Sequence, residues 1–401
     1  MDRAFKGPTV FKDESKLSVE YVPPRLPHRD RELQTLIQTF KAVVESPGSI
    51  APKALIRGPL GTGKTALAKR FGMDFEAYAS GKGVNLKFIH VNCREEGSFY
   101  SILRKIATSH FGMKIPGRGY SAEELLSMLS ETLDSQNVFL LLALDEVEIL
   151  IRREGSDPLF NLTRIGEARP PEAPRRIALI TIFREPEADE ALRLLDRSTL
   201  STLGHNIIRL SKYTSSQLRE ILEYRVEEAF KEDTVLPETI ELVADIAGEY
   251  GDARLAIELI WLAGKHADLE QSNKVLPEHV RAAQVKITPT IRRETIDYLS
   301  LHEKILLLSL ARTLEACESA YVPFGEVERE YQAACEEFGE TPRKHTQLWK
   351  YVKSMSLSGI IQAKSSGKGF KGKTTLLGLP APTRMLREEL EKILASKTEP
   401  S

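Results

Sequence analysis

The chain of 401 residues has a net charge of −1, and 41% of its residues are hydrophobic and 28% are charged. These values predict a soluble protein with two or three domains, each with its own core. No apolar run reaches the length of a membrane span, and residues 1–12 lack the apolar core of a signal peptide. The near-zero net charge argues at first against a nucleic-acid partner.

The three cysteines are far apart in the sequence and show no metal-binding spacing: Cys93, Cys317 and Cys335. This pattern predicts buried structural thiols in a reducing, intracellular environment. We therefore expect the protein to be cytoplasmic and, if it binds DNA, associated with the nucleoid.

The N-terminal residues 1–20 mix basic and acidic side chains and are expected to form a flexible arm. Residues 21–29 contain three prolines, which predict a stiff, extended segment. Apolar residues then recur at helical spacing from Leu33 to Val44, and Pro47 with Gly48 ends that predicted helix.

A glycine-rich stretch, Gly58–Thr65, follows a short apolar strand and matches the P-loop pattern Gly-x-x-x-x-Gly-Lys-Thr in full. Its glycines allow a tight turn that directs backbone N–H groups at phosphate oxygens. Lys64 is expected to reach the β- and γ-phosphates, and Thr65 to offer its hydroxyl to Mg²⁺ at a helix start. A glycine-rich turn without a ligand is the alternative. The predicted nucleotide contacts are Gly58, Gly61, Thr62, Gly63, Lys64, Thr65 and Ala66.

Three more strands are predicted at residues 86–92, 138–144 and 177–183, with helices between them. Ser98 is expected to cap one helix, and Ser121 forms a capping-box pattern with Glu124 at the start of another. Strands that alternate with helices predict an α/β domain with a parallel sheet.

Asp145 and Glu146 stand at the end of the third predicted strand. In P-loop ATPases an aspartate at this position holds Mg²⁺, and the next glutamate can act as a general base for the attacking water. An ordinary acidic pair at a strand end is the alternative. The complete P-loop upstream favours the ATPase interpretation.

From Tyr213 onward the strand patterns stop. Helices are predicted to start at Ser215 and near Pro237, Arg254 and Pro277, which gives a four-helix unit.

In the last part of the chain, the sequence predicts three helices followed by a β-hairpin, which is the order of a winged helix-turn-helix. The predicted third helix starts at Thr341 and Pro342.

The segment from Thr341 to Arg387 contains ten lysines and arginines and no acidic residue, so the net charge hides a polarised chain. On its predicted helix, apolar side chains share one face and polar side chains the other, as in a DNA recognition helix. A solvated basic face is the alternative. The DNA-binding candidates on this helix are Arg343, Lys344, Thr346, Gln347, Lys350 and Lys353, and those at the hairpin turn are Lys368, Lys371 and Lys373.

With these motifs, the chain resembles AAA+ ATPases, and more closely the archaeal initiators related to the origin recognition complex and its cell-division-cycle loader subunit. The Tyr-x-Pro segment before the first helix and the Gly251–Arg254 motif narrow the resemblance, which covers essentially the whole chain. It implies a P-loop AAA+ base domain with a parallel sheet, an all-α lid and a C-terminal winged helix. The implied boundaries are an arm at 1–20, the base at 21–208, the lid at 209–290 and the winged helix at 291–401.

The resemblance also implies roles for individual residues. In the family, the residues that match Val22, His28 and Arg29 help to enclose adenine. The residues that match Tyr213 and Arg225 line the nucleotide at the junction of base and lid. Arg254 corresponds to the sensor-2 arginine, which responds to the γ-phosphate. A core position for Tyr213 and a surface position for Arg254 are the alternatives. Lys114 and Arg118 fall in an insertion that contacts DNA in the family.

Two departures from the family pattern concern hydrolysis. Phe183, followed by Arg184, stands where a polar sensor-1 residue is usual, and Arg197 is shifted from the expected arginine finger. The sequence therefore predicts a weak ATPase in which ATP is more a switch than a fuel.

We expect an ATP-binding replication initiator that recognises double-stranded origin DNA and helps to load the replicative helicase. ATP or ADP and Mg²⁺ are the expected ligands, and the helicase and other initiator copies are the expected partners. A signalling or transcription-control ATPase whose winged helix contacts proteins is the first alternative. A ring-forming remodeller is the second, and the shifted Arg197 argues against it.

Overall fold

The computed structural model describes residues 9–115, 119–165, 170, 172–287, 296, 298–366 and 374–395. The chain divides into two compact units, which are described separately. The first contains Met1–Val19, Leu218–Glu249 and Arg254–Ser401, and the second contains Glu20–Gln217 and Tyr250–Ala253. Among the described residues, no helix is both long and apolar enough to cross a bilayer.

The second unit is built on a parallel sheet of five strands in the order β2-β3-β4-β1-β5. The strands are β1 (Lys53–Gly58), β2 (Leu86–Asn92), β3 (Phe139–Asp145), β4 (Ile177–Arg184) and β5 (Ile207–Arg209). The four strands predicted from apolar runs are confirmed. β3 is buried along its whole length, as a continuous apolar run predicts for a strand covered on both faces.

Helices cover both faces of this sheet. Leu140 and Leu142 of β3 belong to one core, and Leu141 and Ala143 to the other, because successive side chains of a strand point to opposite faces. The described helices of this unit are α1 (Asp30–Phe40), α2 (Ala42–Glu45), α3 (Lys64–Gly81), α4 (Cys93–Glu96), α5 (Phe99–Phe111), α6 (Ala122–Ser135), α7 (Val147–Glu154), α8 (Asp157–Arg164), α9 (Glu187–Arg193) and α10 (Arg197–Leu203). Ser98 caps α5, and Ser121 and Glu124 form the predicted capping box of α6.

Four helices follow, as predicted. They are α11 (Ser215–Ala229), α12 (Pro237–Tyr250), α13 (Ala253–Leu269) and α14 (Pro277–Ile287). α12 and α14 start at the predicted prolines, Pro237 and Pro277. Proline fits the first helical turn because a backbone N–H at that position would have no hydrogen-bond partner within the helix.

The N-terminal arm packs onto these helices from Thr9 onward, so the expectation of a flexible arm is wrong for the described residues 9–19. The ring of Phe11 lies 4.7 Å from that of Phe230, centroid to centroid. A Cβ atom on Gly264 would lie 2.4 Å from Phe11, so a glycine makes room for this ring. Glu14 accepts hydrogen bonds from Trp261 Nε1 and Lys265 Nζ, each at 2.7 Å. Residues 1–8 lie outside the described part of the chain.

The C-terminal part of the first unit has the predicted order of three helices and a hairpin. Its elements are α15 (Leu301–Cys317), β6 (Val322–Pro323), α16 (Phe324–Glu337), α17 (His345–Leu357), β7 (Gln362–Ser365), β8 (Thr375–Gly378) and α18 (Thr383–Ala395). The three strands form an antiparallel sheet in the order β6-β8-β7. This arrangement confirms the winged-helix expectation.

One helix start differs from the prediction. α17 begins at His345 and not at Thr341, and Lys344, which precedes it, has an extended backbone. The N–H of Arg343 donates to the hydroxyl of Tyr331 at 3.3 Å, and this contact holds the segment outside the helix. Pro342 tolerates a helix start but does not enforce one.

The cysteines follow the prediction in part. Cys93 and Cys335 are buried, whereas Cys317 is exposed. Cys317 is the last residue of α15, and its side chain faces solvent at this helix end, although nothing in the sequence pattern distinguishes it from the other two.

Candidate functional site

The P-loop connects the end of β1 to the first turn of α3. Gly61 and Gly63 have φ angles of +71° and +84°, a left-handed conformation that side chains other than glycine rarely adopt. Thr62 is fully buried, and its hydroxyl donates to the carbonyl of Pro59 at 2.9 Å. Lys64 Nζ donates to the carbonyls of Gly58 at 2.8 Å and Pro59 at 2.6 Å. The loop therefore has a fixed backbone, a lysine across it and a helix N-terminus behind it, which together favour an anion.

The two predicted Mg²⁺ ligands meet at the end of β3. Thr65 Oγ1 donates to Asp145 Oδ2 at 2.6 Å, and His90 Nε2 lies 3.1 Å from the same oxygen. Burial raises the pKa of Asp145, but hydrogen bonds from His90 and Thr65 outweigh it and keep this pKa below its usual value. A charged carboxylate beside a hydroxyl fits Mg²⁺, which takes few protein oxygens and completes its shell with water and phosphates.

Glu146, the predicted general base, follows Asp145 and has a left-handed backbone with φ of +53°. Its Oε2 accepts a hydrogen bond from Arg94 Nε at 2.6 Å. Neither Arg94 nor His90 was predicted as a site residue. The parallel register of β2 with β3 brings them close, since Asn92 pairs with Asp145 and His90 with Ala143.

Phe183, at the sensor-1 position, and Arg184, which follows it, have different surroundings. Phe183 is fully buried in a core of the sheet and offers no polar atom to a substrate. Arg184 ends β4 and stands opposite Gly58 in the register of β1 with β4. Its guanidinium pairs with Glu187 at 3.2 Å, and its backbone N–H faces the carboxylate of Glu148 at 3.4 Å. Glu148 is itself buried, and burial raises its pKa.

Arg29 and Tyr213, two residues expected to bind nucleotide, lie directly against the P-loop. Arg29 Nη2 donates to the carbonyl of Thr62 at 2.8 Å, and its guanidinium carbon lies 4.1 Å from the ring centroid of Tyr213. The Tyr213 hydroxyl would lie 3.2 Å from a Cβ atom on Gly63. Val22 and His28, which precede this pair, are half-buried.

Residues 250–253 also contact the P-loop. A Cβ atom on Gly61 would lie 1.8 Å from the carboxylate of Asp252, so the carboxylate packs on this glycine. The N–H of Ala253 donates to the carbonyl of Gly61 at 3.0 Å. Asp252 was not predicted as a site residue, although it belongs to the motif that was used to identify Arg254.

Arg225 and Arg254 belong to the first unit, and their predicted nucleotide contacts stay predictions. Arg254 is exposed in the first turn of α13. Arg225 is buried, and its guanidinium donates to the carbonyl of Lys16 in the N-terminal arm. Arg197 is exposed at the start of α10, where Asp196 caps the helix by accepting from the N–H groups of Ser198 and Thr199.

The predicted recognition helix α17 has the expected two faces. Leu348, Val352 and Met355 are buried in the winged-helix core. The candidate DNA contacts that are exposed are Arg343, Lys344, Thr346, Lys350 and Lys353, whereas Gln347 is half-buried. Lys114 is exposed in the second unit. Arg118, Lys368, Lys371 and Lys373 lie outside the described residues.

Acidic residues from other parts of the first unit pair with some of the ten basic residues. Lys364 Nζ donates to Glu241 at 2.8 Å and to Asp245 at 2.7 Å, both on α12. Arg387 pairs with Glu315 at 2.7 Å. In the described part of this segment the basic surface is therefore smaller than the sequence count suggests. Its exposed DNA-binding candidates are Lys350 and Lys353 on α17 and Arg343 and Lys344 just before it.

Comparison with protein families matches three parts of the chain. Residues 52–192 match the AAA domain, residues 219–285 the Cdc6 AAA+ ATPase-type lid domain, and residues 294–389 the CDC6 C-terminal winged helix domain. These matches follow the order of the sheet, the four helices and the winged helix described above.

Similar proteins cover nearly the whole chain. An ORC1-type DNA replication protein 2 of Sulfurisphaera tokodaii is 35% identical to this chain. The aligned region covers 98% of this chain and 94% of that protein. The crystal structure of Cdc6p from Pyrobaculum aerophilum has 30% identity and a TM-score of 0.83, covering 97% of this chain and 100% of that one. The ORC1 protein of Aeropyrum pernix, solved in complex with DNA, has 30% identity and a TM-score of 0.62, covering 97% and 99%.

Proposed function

This chain belongs to the ORC1-type DNA replication proteins, and from that membership we propose that it initiates replication by binding double-stranded origin DNA. The winged helix carries the DNA contacts, and the P-loop site holds ATP or ADP with Mg²⁺. The replicative helicase and other copies of the initiator are its proposed partners.

The observation that carries this proposal is the construction of α17. Its apolar residues fix the helix in the core, and its exposed positions include Lys350, Lys353 and Thr346. Lysines at the exposed face can neutralise phosphates, and Thr346 near the helix start can reach base edges in a major groove. The same chain carries a P-loop with the Thr65–Asp145 pair of a nucleotide-dependent ATPase.

We propose that nucleotide acts as a switch because the catalytic groups do not favour rapid turnover. Glu146 is paired with Arg94, so its carboxylate is not free to polarise water. Phe183 cannot orient a water where the family usually has a polar side chain. Arg184, next to it, faces the P-loop strand and is the remaining candidate for a phosphate contact from β4.

The experiment is footprinting of the full chain on genomic DNA from its own organism, with and without ATP. We expect protection of a few discrete sites and binding to those sites that is tighter than to scrambled duplexes of equal length. Equal, weak affinity for all duplexes would contradict origin recognition. It would favour the alternative in which the winged helix contacts proteins in signalling or transcription control.

A further inference from the structure

The side chain of Arg29 is surrounded by backbone carbonyls. Arg29 is only 4% exposed. Nη2 donates to Thr62 O at 2.8 Å and to Ser211 O at 3.4 Å, and Nη1 donates to His28 O at 3.3 Å. Glu32 supplies the nearby negative charge, 3.4 Å from Nη1. A buried guanidinium needs such partners, because an unpaired buried charge is strongly unfavourable.

The main contact of Arg29 is with the middle of the P-loop. Thr62 lies between the two glycines with left-handed backbones, Gly61 and Gly63. Its hydroxyl is bound to Pro59 O on one side, and its carbonyl is bound to Arg29 on the other. Because a guanidinium is planar and rigid, its donors fix the direction of the carbonyl that they bind. The peptide between Thr62 and Gly63 is thereby held in one orientation.

Tyr213 fixes Arg29 from its other face. The guanidinium carbon lies 4.1 Å from the ring centroid, in the range of a cation–π contact. The N–H of Tyr213 donates to Gly251 O at 3.2 Å, which anchors the residue itself. The hydroxyl of Tyr213 stands beside Gly63, the residue that precedes the first helical residue, Lys64.

We infer that Arg29, stacked on Tyr213, is a positioning residue that sets the P-loop backbone for the polyphosphate of the nucleotide. This inference rests on the proposed nucleotide site and differs from the expectation that Arg29 encloses adenine. The N–H groups of the loop bind phosphate only when their peptides point inward. Arg29 acts on that geometry through the Thr62 carbonyl, so its effect is on phosphate affinity and not on the choice of base.

Calorimetric titration of the full chain with ATP and with inorganic tripolyphosphate tests the inference. For Arg29→Ala we expect both affinities to fall by the same factor, about 10- to 100-fold, as for removal of a group that orients a ligand shell. Arg29→Lys should recover only part of this affinity, because lysine keeps the charge without the rigid fork. Arg31→Ala, an exposed arginine on α1, is the matched control and should leave both affinities unchanged.

A base contact predicts a different pattern. If Arg29→Ala weakens ATP but leaves tripolyphosphate unchanged, the positioning role is wrong and the adenine role is right, while the nucleotide site itself stands. If the parent chain binds neither ligand, the proposed nucleotide site fails instead. Full recovery of both affinities in Arg29→Lys would also overturn the inference, because a positive charge alone would then be enough and the rigid guanidinium would not be needed.

A double-mutant cycle separates this role from a general decrease in stability. Tyr213→Leu removes the ring that supports Arg29 and should reduce tripolyphosphate affinity in the same way. The combined variant should weaken binding by less than the product of the two single effects, because both act on one contact. Independent, multiplicative effects would contradict a shared role. If Arg29→Ala does not fold, Arg29→Met can replace it, since methionine keeps an apolar side chain of similar length but cannot donate to Thr62 O.

Discussion

Glu146 Oε2 and Arg94 Nε are 2.6 Å apart and form an ion pair at the end of the central strands. The two residues come from different strand ends, Arg94 just after β2 and Glu146 just after β3. Glu146 stands next to Asp145, whose carboxylate contacts the P-loop threonine. The predicted general base is therefore held by a cation, and we expect that this ion pair must open before Glu146 can act on water.

Arg94→Ala should raise the rate of ATP hydrolysis several-fold and leave nucleotide affinity unchanged. Without Arg94 the Glu146 carboxylate is free to approach water, and a paired carboxylate is a poorer general base. The measurement is phosphate release in a single turnover with saturating ATP. Arg104→Ala, an exposed arginine on α5, is the control. A slower rate in Arg94→Ala would mean that Arg94 itself assists the reaction.

Glu146→Gln should abolish the remaining hydrolysis and preserve ATP binding, because the amide keeps the shape but cannot accept the proton from water. Removing a general base lowers such rates by about 10²- to 10⁴-fold. Product formation over hours, together with calorimetric affinity for ATP, measures both effects. An unchanged rate would assign the role to another group, with the buried Glu148 as the first candidate to test.

Local patterns in the sequence predicted a large part of this molecule. The strand β3 was predicted from the near-continuous apolar run at residues 138–144. Such runs are typical of strands that are buried on both faces, and all seven residues of β3 are buried. The capping box of Ser121 and Glu124 has a fixed spacing and acts within one helical turn. Thr65 and Asp145 were each predicted to hold Mg²⁺, and the structure places their side-chain oxygens 2.6 Å apart.

The features that the sequence did not predict depend on distant partners or on very short elements. β5 has three residues and β6 has two, which is too short for any periodicity to be seen. Phe11 was missed in a charged segment because its partner, Phe230, is 219 residues away along the chain. Lys364 was counted among the ten basic residues of an acid-free segment, but its acidic partners, Glu241 and Asp245, come from α12.

Gly61→Ala should greatly weaken nucleotide binding, and Asp252→Gly should restore part of it. A Cβ atom on Gly61 would meet the carboxylate of Asp252 at 1.8 Å, and the left-handed backbone costs alanine about 1–2 kcal/mol in addition. Removing the Asp252 side chain relieves the steric clash with the new Cβ atom but does not change the cost of the left-handed backbone. Calorimetry on the two single variants and the double variant measures the coupling. Equal affinities of Gly61→Ala with and without Asp252→Gly would show that the contact is unimportant.

Phe11→Ala should lower the free energy of unfolding of the first unit by about 3–5 kcal/mol, as for other buried phenylalanines. Phe11 is 6% exposed, and its ring fills the space above Gly264. Thermal unfolding of the full chain, followed by calorimetry, should show a lower midpoint. Val19→Ala is the control at the end of the same arm, because Val19 is 73% exposed. An unchanged midpoint in Phe11→Ala would mean that the arm does not stabilise these helices.

Lys350→Ala and Lys353→Ala should weaken binding to all duplex sequences alike and reduce its salt dependence. Each phosphate that a lysine neutralises releases counterions, so the log–log slope of affinity against salt should become shallower by about 0.9 for each lysine–phosphate pair that a substitution removes. Arg343→Ala and Thr346→Ala should instead reduce discrimination between origin and scrambled DNA, by about 1–3 kcal/mol for each hydrogen-bonded base that is no longer read. Salt titrations of binding on both duplexes measure the two effects separately.

Arg384→Ala is the matched control for this experiment. Arg384 belongs to the same acid-free segment, but it lies on α18 and pairs with Glu388 at 3.1 Å. Because its charge is already compensated and it lies outside α17, its removal should leave both affinity and salt slope unchanged. If Arg384→Ala weakens DNA binding as much as Lys350→Ala does, the attraction comes from the net charge of the whole segment. The proposal that α17 is the DNA-reading element would then be wrong, even though the chain binds DNA.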